Sequence, residues 1–103
     1  MIRHCVMLRL PDDYDRDELD LVMQGLDAIA MRLVGCCGFL SGVNIDLEHK
    51  SPDLPFGFTL DFDDVAALQR YAADEEHIAL GGRLVRLCGG ADNIVVFDLQ
   101  GHV

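Results

Sequence analysis

The sequence predicts an α+β fold of the ferredoxin-like type, a βαββαβ sandwich in which a four-stranded antiparallel sheet carries its helices on one face. Three observations carry that prediction. Short runs with two-residue alternation, the mark of half-buried strands, open and close the chain and recur twice in between. Two longer stretches instead carry apolar residues at three- and four-residue steps, as amphipathic helices do. The two kinds follow one another in the order β-α-β-β-α-β, within one domain spanning residues 1–103.

The opening run MIRHCVMLRL places Ile2, His4, Val6, Leu8 and Leu10 on one face and Met1, Arg3, Cys5, Met7 and Arg9 on the other, which predicts a strand near residues 2–10. In PDDYDRDELD the aspartates sit where the positive end of a helix dipole attracts negative charge. A helix near 15–34 follows, starting at Asp15, with Leu19, Val22, Met23, Leu26, Ala30 and Leu33 as its apolar stripe and Gly35 as a left-handed stop. FLSGVNIDL alternates again, with Phe39, Ser41, Val43, Ile45 and Leu47 on one side, and predicts a strand near 39–47 before the turn-rich EHKSPDLP. FGFTLDF puts Phe56, Phe58, Leu60 and Phe62 on one face of a strand near 56–62. Asp63 and Asp64 are the cap candidates for a helical segment near 64–88, whose first part presents Val65, Leu68, Tyr71 and Ala72. GGADN then turns into IVVFDL, a last strand near 94–99.

The stretch RYAADEEHIALGG decides where two polar side chains point. On one straight helix Tyr71 and His77, six residues apart, face opposite sides. Asp74, however, is a good N-cap and Glu75 and Glu76 suit a first turn, so a new helix begins at Asp74. The stripe His77, Leu80, Gly81, Leu84, Cys88 then turns toward the sheet. Because His4 shares its strand face with Val6 and Leu8, the three side chains His4, Tyr71 and His77 are expected to line one pocket between sheet and helices. Burial and the positive end of the helix dipole both disfavour a charge on His77, which predicts a neutral imidazole at about pH 7.

Composition narrows the partners. Eighteen acids against eight bases leave a net charge of −10, which argues against nucleic acid and against an anionic membrane surface. No apolar run approaches the roughly 20 residues that span a bilayer, and the opening lacks the features of a signal peptide, so a cytoplasmic location is expected. Cys5, Cys36, Cys37 and Cys88 make no CxxC pair and read as buried small hydrophobes; adjacent cysteines such as Cys36 and Cys37 rarely bond each other. The acidic run from Asp13 has Glu18 and Gln24 where a calcium loop needs Gly and Glu. His49 and His102 fall in a loop and a tail, so metal binding by histidine is not expected. The strand face bearing Met1, Cys5 and Met7 is too apolar to stay wet, which predicts a homodimer that buries it, with Arg3 and Arg9 at its edges or paired with acids.

The opening MIRHCVMLRL with its fourth-position His, the stretch LDFDDVAALQRYAADEEH and the closing NIVVFDL together resemble the stress-responsive A/B barrel domain (Dabb) family over nearly the whole chain. The resemblance implies a dimeric α/β barrel without metal or organic cofactor, seen in bacterial proteins of unassigned role and in plant proteins linked to stress. It also implies a distant likeness to the plant polyketide cyclase that forms olivetolic acid by an intramolecular aldol condensation. There a first-strand His, a Tyr and a His of the broken helix serve the reaction, and the matching positions here are His4, Tyr71 and His77. The family usually reads His-Pro-x-His at the break; in this chain Asp74-Glu75 replaces the His-Pro.

Three functional readings stand open at this point. The chain is a small-ligand-binding or stress-associated homodimer without chemistry, its candidate ligand small and apolar or aromatic; it is a cofactor-independent cyclase or isomerase with His77 as base, Tyr71 as oxyanion donor and His4 orienting the substrate; or it is an oligomeric module serving another protein. Against any site stands the plain alternative that His4 and His77 are satisfied core histidines and Tyr71 is packing.

Overall fold

The computed structural model describes residues 1–102. Its elements are β1 (Ile2–Leu8), α1 (Arg16–Arg32), β2 (Cys36–Val43), β3 (Phe56–Phe62), α2 (Val65–Ala73), α3 (Glu75–Cys88) and β4 (Ile94–Gln100), the last preceded by a 3-10 turn at Ala91–Asn93. The strands form one antiparallel sheet in the order β2-β3-β1-β4. This is the predicted βαββαβ sandwich, with β1 and β3 central and β2 and β4 at the edges.

Strand parity divides the sheet as the alternation predicts. Ile2, Val6 and Leu8 of β1 and Phe58, Leu60 and Phe62 of β3 are buried with Leu19, Val22, Met23, Leu26 and Ile29 of α1 and with Ala67, Tyr71, Leu84 and Cys88 of the later helices. Removing each such side chain from water contributes about 1.5–3 kcal/mol, which is why this face and the helix stripes find each other. Each helix begins on an aspartate: Asp15 accepts from the Glu18 N–H at 3.1 Å, Asp64 from that of Ala67 at 2.9 Å and Asp74 from that of His77 at 3.1 Å. α3 ends on Gly89 in the left-handed region, where the Gly89 and Gly90 N–H groups return to the Arg86 and Val85 carbonyls. Helix α1 is tied to the later helical segment near both ends, by Glu18 with Arg83 at 2.6 Å and by Arg32 with Asp74 at 2.8 Å.

Several local expectations are corrected. β2 runs over Cys36–Val43, not 39–47, because an extra residue between Cys37 and Leu40 bulges the strand at Gly38, which takes φ +69°. The bulge lets both Cys36 and Phe39 pack on the core; Ile45 and Leu47, expected on the strand, lie beyond it and are exposed. There the Asp46 carboxylate accepts from the Lys50 and Ser51 N–H groups and turns the chain away from the sheet. β1 stops at Leu8, and Leu10 packs on the core from outside the strand. α1 ends with Leu33 already extended, and Gly35, at φ +85°, serves the turn after it. In α2 the buried residues are Ala67 and Tyr71, with Leu68 beside them, while Val65 and Ala72 are exposed. Ala67 takes the inward place and packs on Gly35, where an added Cβ would sit 2.8 Å from that of Ala67. Of the cysteines only Cys88 is fully buried; Cys5 and Cys36 are half-buried and Cys37 is exposed, the vicinal pair pointing to opposite faces of the sheet.

The outer sheet face carries Cys5 and Met7 of β1, Leu40 of β2 and Val95, Phe97 and Leu99 of β4. Met7 lies over Gly57, where any side chain would collide with it, and together with Leu40 and Thr59 they line a shallow cleft of about 360 Å³. As expected, the two arginines of this face pair with acids, Arg3 with Asp61 and Arg9 with Asp53, each at 2.9 Å. Among the described residues no helix is long and apolar enough to cross a membrane, and no group of three His, Cys, Asp or Glu is placed to hold a metal ion.

Candidate ligand site at the helix break

The break in the second helical segment occurs where the sequence predicts it. Asp74 is extended, at φ −65° and ψ 130°; it closes α2 with its N–H on the Tyr71 carbonyl at 3.2 Å and opens α3 by capping His77. The change of direction brings the two rings to the same side. Their centroids are 4.1 Å apart with planes inclined at 41°. His4 reaches the cluster from β1, its ring centroid 5.7 Å from that of Tyr71 and nearly perpendicular to it. Phe62 closes the group, 5.2 Å from Tyr71 and 5.9 Å from His4. The three residues singled out in the sequence are thus neighbours on the helix side of the sheet.

Their hydrogen bonding differs sharply. Nδ1 of His4 lies 2.6 Å from Oδ1 of Asp98, its directly opposed cross-strand partner on β4. An ionised carboxylate only accepts, so Nδ1 donates and the ring is held from the edge strand. By contrast, the Tyr71 hydroxyl and Nδ1 of His77 are both buried, and among the described residues neither finds a hydrogen-bond partner. Buried polar atoms are rarely left so, because each forfeits the hydrogen bond that it makes in water.

Both side chains are also electrostatically shifted. Burial pushes the Tyr71 hydroxyl well above its ordinary range, and the nearby Cys36 thiol and Asp74 carboxylate add to the effect, so it remains a neutral donor. Burial likewise lowers His77 below its ordinary value; the Ala72 carbonyl opposes this, His4 reinforces it and the Asp74 carboxylate opposes it. Desolvation, the first-named cause, therefore acts in the direction expected from sequence. Asp98 is the member that sequence reasoning missed. Its signal is an acid inside the apolar run IVVFDL, but only the β1–β4 register identifies the residue it faces.

The profile of the stress responsive A/B barrel domain, Dabb, matches residues 2–100. The chain belongs to the Dabb family. No curated protein matches it. A solved structure from Jannaschia sp. CCS1, described as a dimeric ferredoxin-like protein of unknown function, is 40% identical, with 97% of this chain and 98% of that one covered and a TM-score of 0.92. A Dabb family protein of ferredoxin-like fold from Mesorhizobium loti is 24% identical over 99% of this chain and 97% of that one, with a TM-score of 0.72. Hydroxynitrile lyase from Passiflora edulis is similar in fold, with a TM-score of 0.80 at 14% identity over 95% of this chain and 90% of that one.

Proposed function

We propose that this Dabb protein is a homodimer joined through the outer sheet face, each subunit binding a small apolar or aromatic ligand at His4, Tyr71 and His77. The observation that carries the ligand site is the pair of buried, unpartnered polar atoms, the Tyr71 hydroxyl and His77 Nδ1. The Tyr71 hydroxyl donates to a ligand carbonyl or hydroxyl oxygen, a ligand hydroxyl in turn donates to the His77 imidazole, and the rings of Phe62 and Tyr71 suit an aromatic or apolar body. The dimer is supported by the exposed apolar outer face and by the dimeric description of the Jannaschia protein. Two such faces together form the barrel interior, apart from the ligand sites on the helix sides.

The test is a titration of isotope-labelled protein with acetophenone, an aromatic ketone, followed by NMR. Shifts centred on His4, Tyr71 and His77, lost in His77→Ala while that variant stays folded and dimeric, are the expected result. Absence of saturable shifts, or shifts centred on the outer face, would defeat the ligand site, and sedimentation showing only monomer at micromolar concentration would defeat the dimer.

A second reading, a cofactor-independent cyclase or isomerase, is favoured by one further observation: His4 is oriented by Asp98 while His77 is held toward its neutral form. In that reading His77 takes a proton from the carbon next to a substrate carbonyl. The resulting imidazolium and enolate are the paired products of this step, and Tyr71 donates a hydrogen bond to the enolate oxygen. Return of the proton to another carbon completes an isomerisation and restores the neutral imidazole. His77→Ala should then lower turnover by ~10²–10⁴-fold. Deuterium exchange at the carbon next to the carbonyl, measured in D₂O, separates the two readings: exchange that depends on His77 supports catalysis, and binding without exchange supports the binding reading.

A further inference from the structure

Asp74, at the helix break, is attached to α1 through Arg32. Asp74 uses each of its polar groups. Its N–H donates to the Tyr71 carbonyl at 3.2 Å, its carbonyl accepts from the Ile78 N–H at 3.0 Å, Oδ1 accepts from the His77 N–H at 3.1 Å and Oδ2 accepts from Nη2 of Arg32 at 2.8 Å. Two of these contacts are to the backbones of the residues whose rings form the orphaned pair. A cap carboxylate on a free side chain can rotate into water; here the Asp74 side chain is only 13% exposed and its second oxygen is occupied by a guanidinium fixed at the last turn of α1. Glu76 lies 3.8 Å from the same guanidinium, so the first turn of α3 meets Arg32 at two points.

We infer that Arg32 is a positioning residue for the Tyr71–His77 pair: by holding Asp74 across the helix break, it sets the start of α3 and with it the face that His77 presents to Tyr71. The inference rests on the reading of Tyr71 and His77 as the site, and it adds a residue from the far end of α1. Arg32 acts chiefly through Asp74, its hydrogen-bonded partner, with Glu76 as the second, longer contact. The other α1–α3 tie, Arg83 with Glu18, lies along the same pair of helices but has no contact with the break, which makes it the natural control.

The experiment uses the full chain and needs no ligand. The titration of the His77 ring and the nuclear Overhauser contacts between the Tyr71 and His77 rings are followed by NMR in wild type, Arg32→Gln, Arg32→Lys and Arg83→Gln. The groups acting on His77 are His4 from β1, Asp74 and the Ala72 carbonyl, with Tyr71 packed on its ring. Removing Arg32 leaves the Asp74 charge uncompensated, and any fraying of the first turn exposes the imidazole; both favour the imidazolium. The His77 midpoint should therefore rise in Arg32→Gln by a few tenths of a pH unit, with weakened ring contacts. Arg32→Lys should restore most of both, and Arg83→Gln should leave both as in wild type. An unmoved midpoint with intact ring contacts in Arg32→Gln would overturn the proposal, as would an equal response in Arg83→Gln. If Arg32→Gln does not fold, Asp74→Ser replaces it, since serine keeps a cap acceptor and gives up the ion pair; unaltered ring contacts would again overturn the inference. A response at His77 with no ligand shift in wild type would leave the positioning role standing and remove the ligand site instead.

Discussion

The two faces of the sheet alternate alike in sequence but end differently. On the inner face Ile2, Val6, Leu8, Phe58, Leu60 and Phe62 are at most 5% exposed, whereas Leu40, Phe97 and Leu99 on the outer face are 68%, 54% and 64% exposed. The inner face meets amphipathic stripes of its own chain, and its strand histidine is tethered to Asp98 beside two unpartnered polar atoms. On the outer face the two arginines are already paired, Arg3 with Asp61 and Arg9 with Asp53. What remains there is apolar surface without a partner in the subunit. The difference teaches that burial demand and chemical demand are separated across one sheet: apolar surface is left over on the outer face, unpartnered polar atoms on the inner one.

The sharpest way to break this contrast is to change neighbours on opposite faces of β3. Leu60→Ala should cost ~2–5 kcal/mol in urea unfolding, because it empties a site with no exposure, while Thr59→Ala, half-buried on the outer face of the same central strand, should cost only about 1 kcal/mol, the span of strand preferences. Equal costs would mean that the faces are not distinct. Next in size is Phe97→Asp, which places a charge in the proposed dimer interface; the subunit should keep its circular dichroism and sediment as a monomer. A dimer as stable as wild type would move the interface elsewhere.

A smaller effect is expected from pH. The folded chain holds His77 below its ordinary 6.5, so between the folded value and 6.5 the unfolded chain binds more protons. Stability from this group is full above 6.5 and falls as pH drops through that window, and His77→Gln should flatten this part of a thermal-melt series. Glu18, Asp53 and Asp74, each lowered first of all by an arginine hydrogen bond, act separately: their contributions are lost only as pH falls below their ordinary 4.5 and 3.8. Smallest is Tyr71→Phe, which removes a hydroxyl that has no partner; unfolding stability should stay within about 1 kcal/mol of wild type or rise, while acetophenone shifts are lost. A large destabilisation would show that the hydroxyl is satisfied in solution and would weaken the ligand reading.

Much of this is legible in the amino-acid sequence alone. Alternation in MIRHCVMLRL and FGFTLDF assigns each residue a face because the pleat has a period of two, and the cap chemistry of Asp74 predicts the break because an aspartate satisfies free N–H groups only at a helix start. Those two local rules bring His4, Tyr71 and His77 to one side. The course of β2 was not legible, since a bulge at Gly38 depends on which residue of β3 it faces, and a period-two pattern carries no record of an inserted residue. Nor was the phase of α2, in which Ala67 packs on Gly35 from a different part of the chain. The partners of the site lay furthest from view: Asp98 meets His4 across 94 residues of chain and Arg32 meets Asp74 across 42, and both depend on register and helix packing. By itself the sequence determined the order of the elements, the faces of β1, β3 and α1 and the break, because these follow from periodicity and capping within a few residues. Only the tertiary structure decided which polar groups are paired and which are left waiting, because hydrogen bonding between distant segments is settled when the helices close over the sheet.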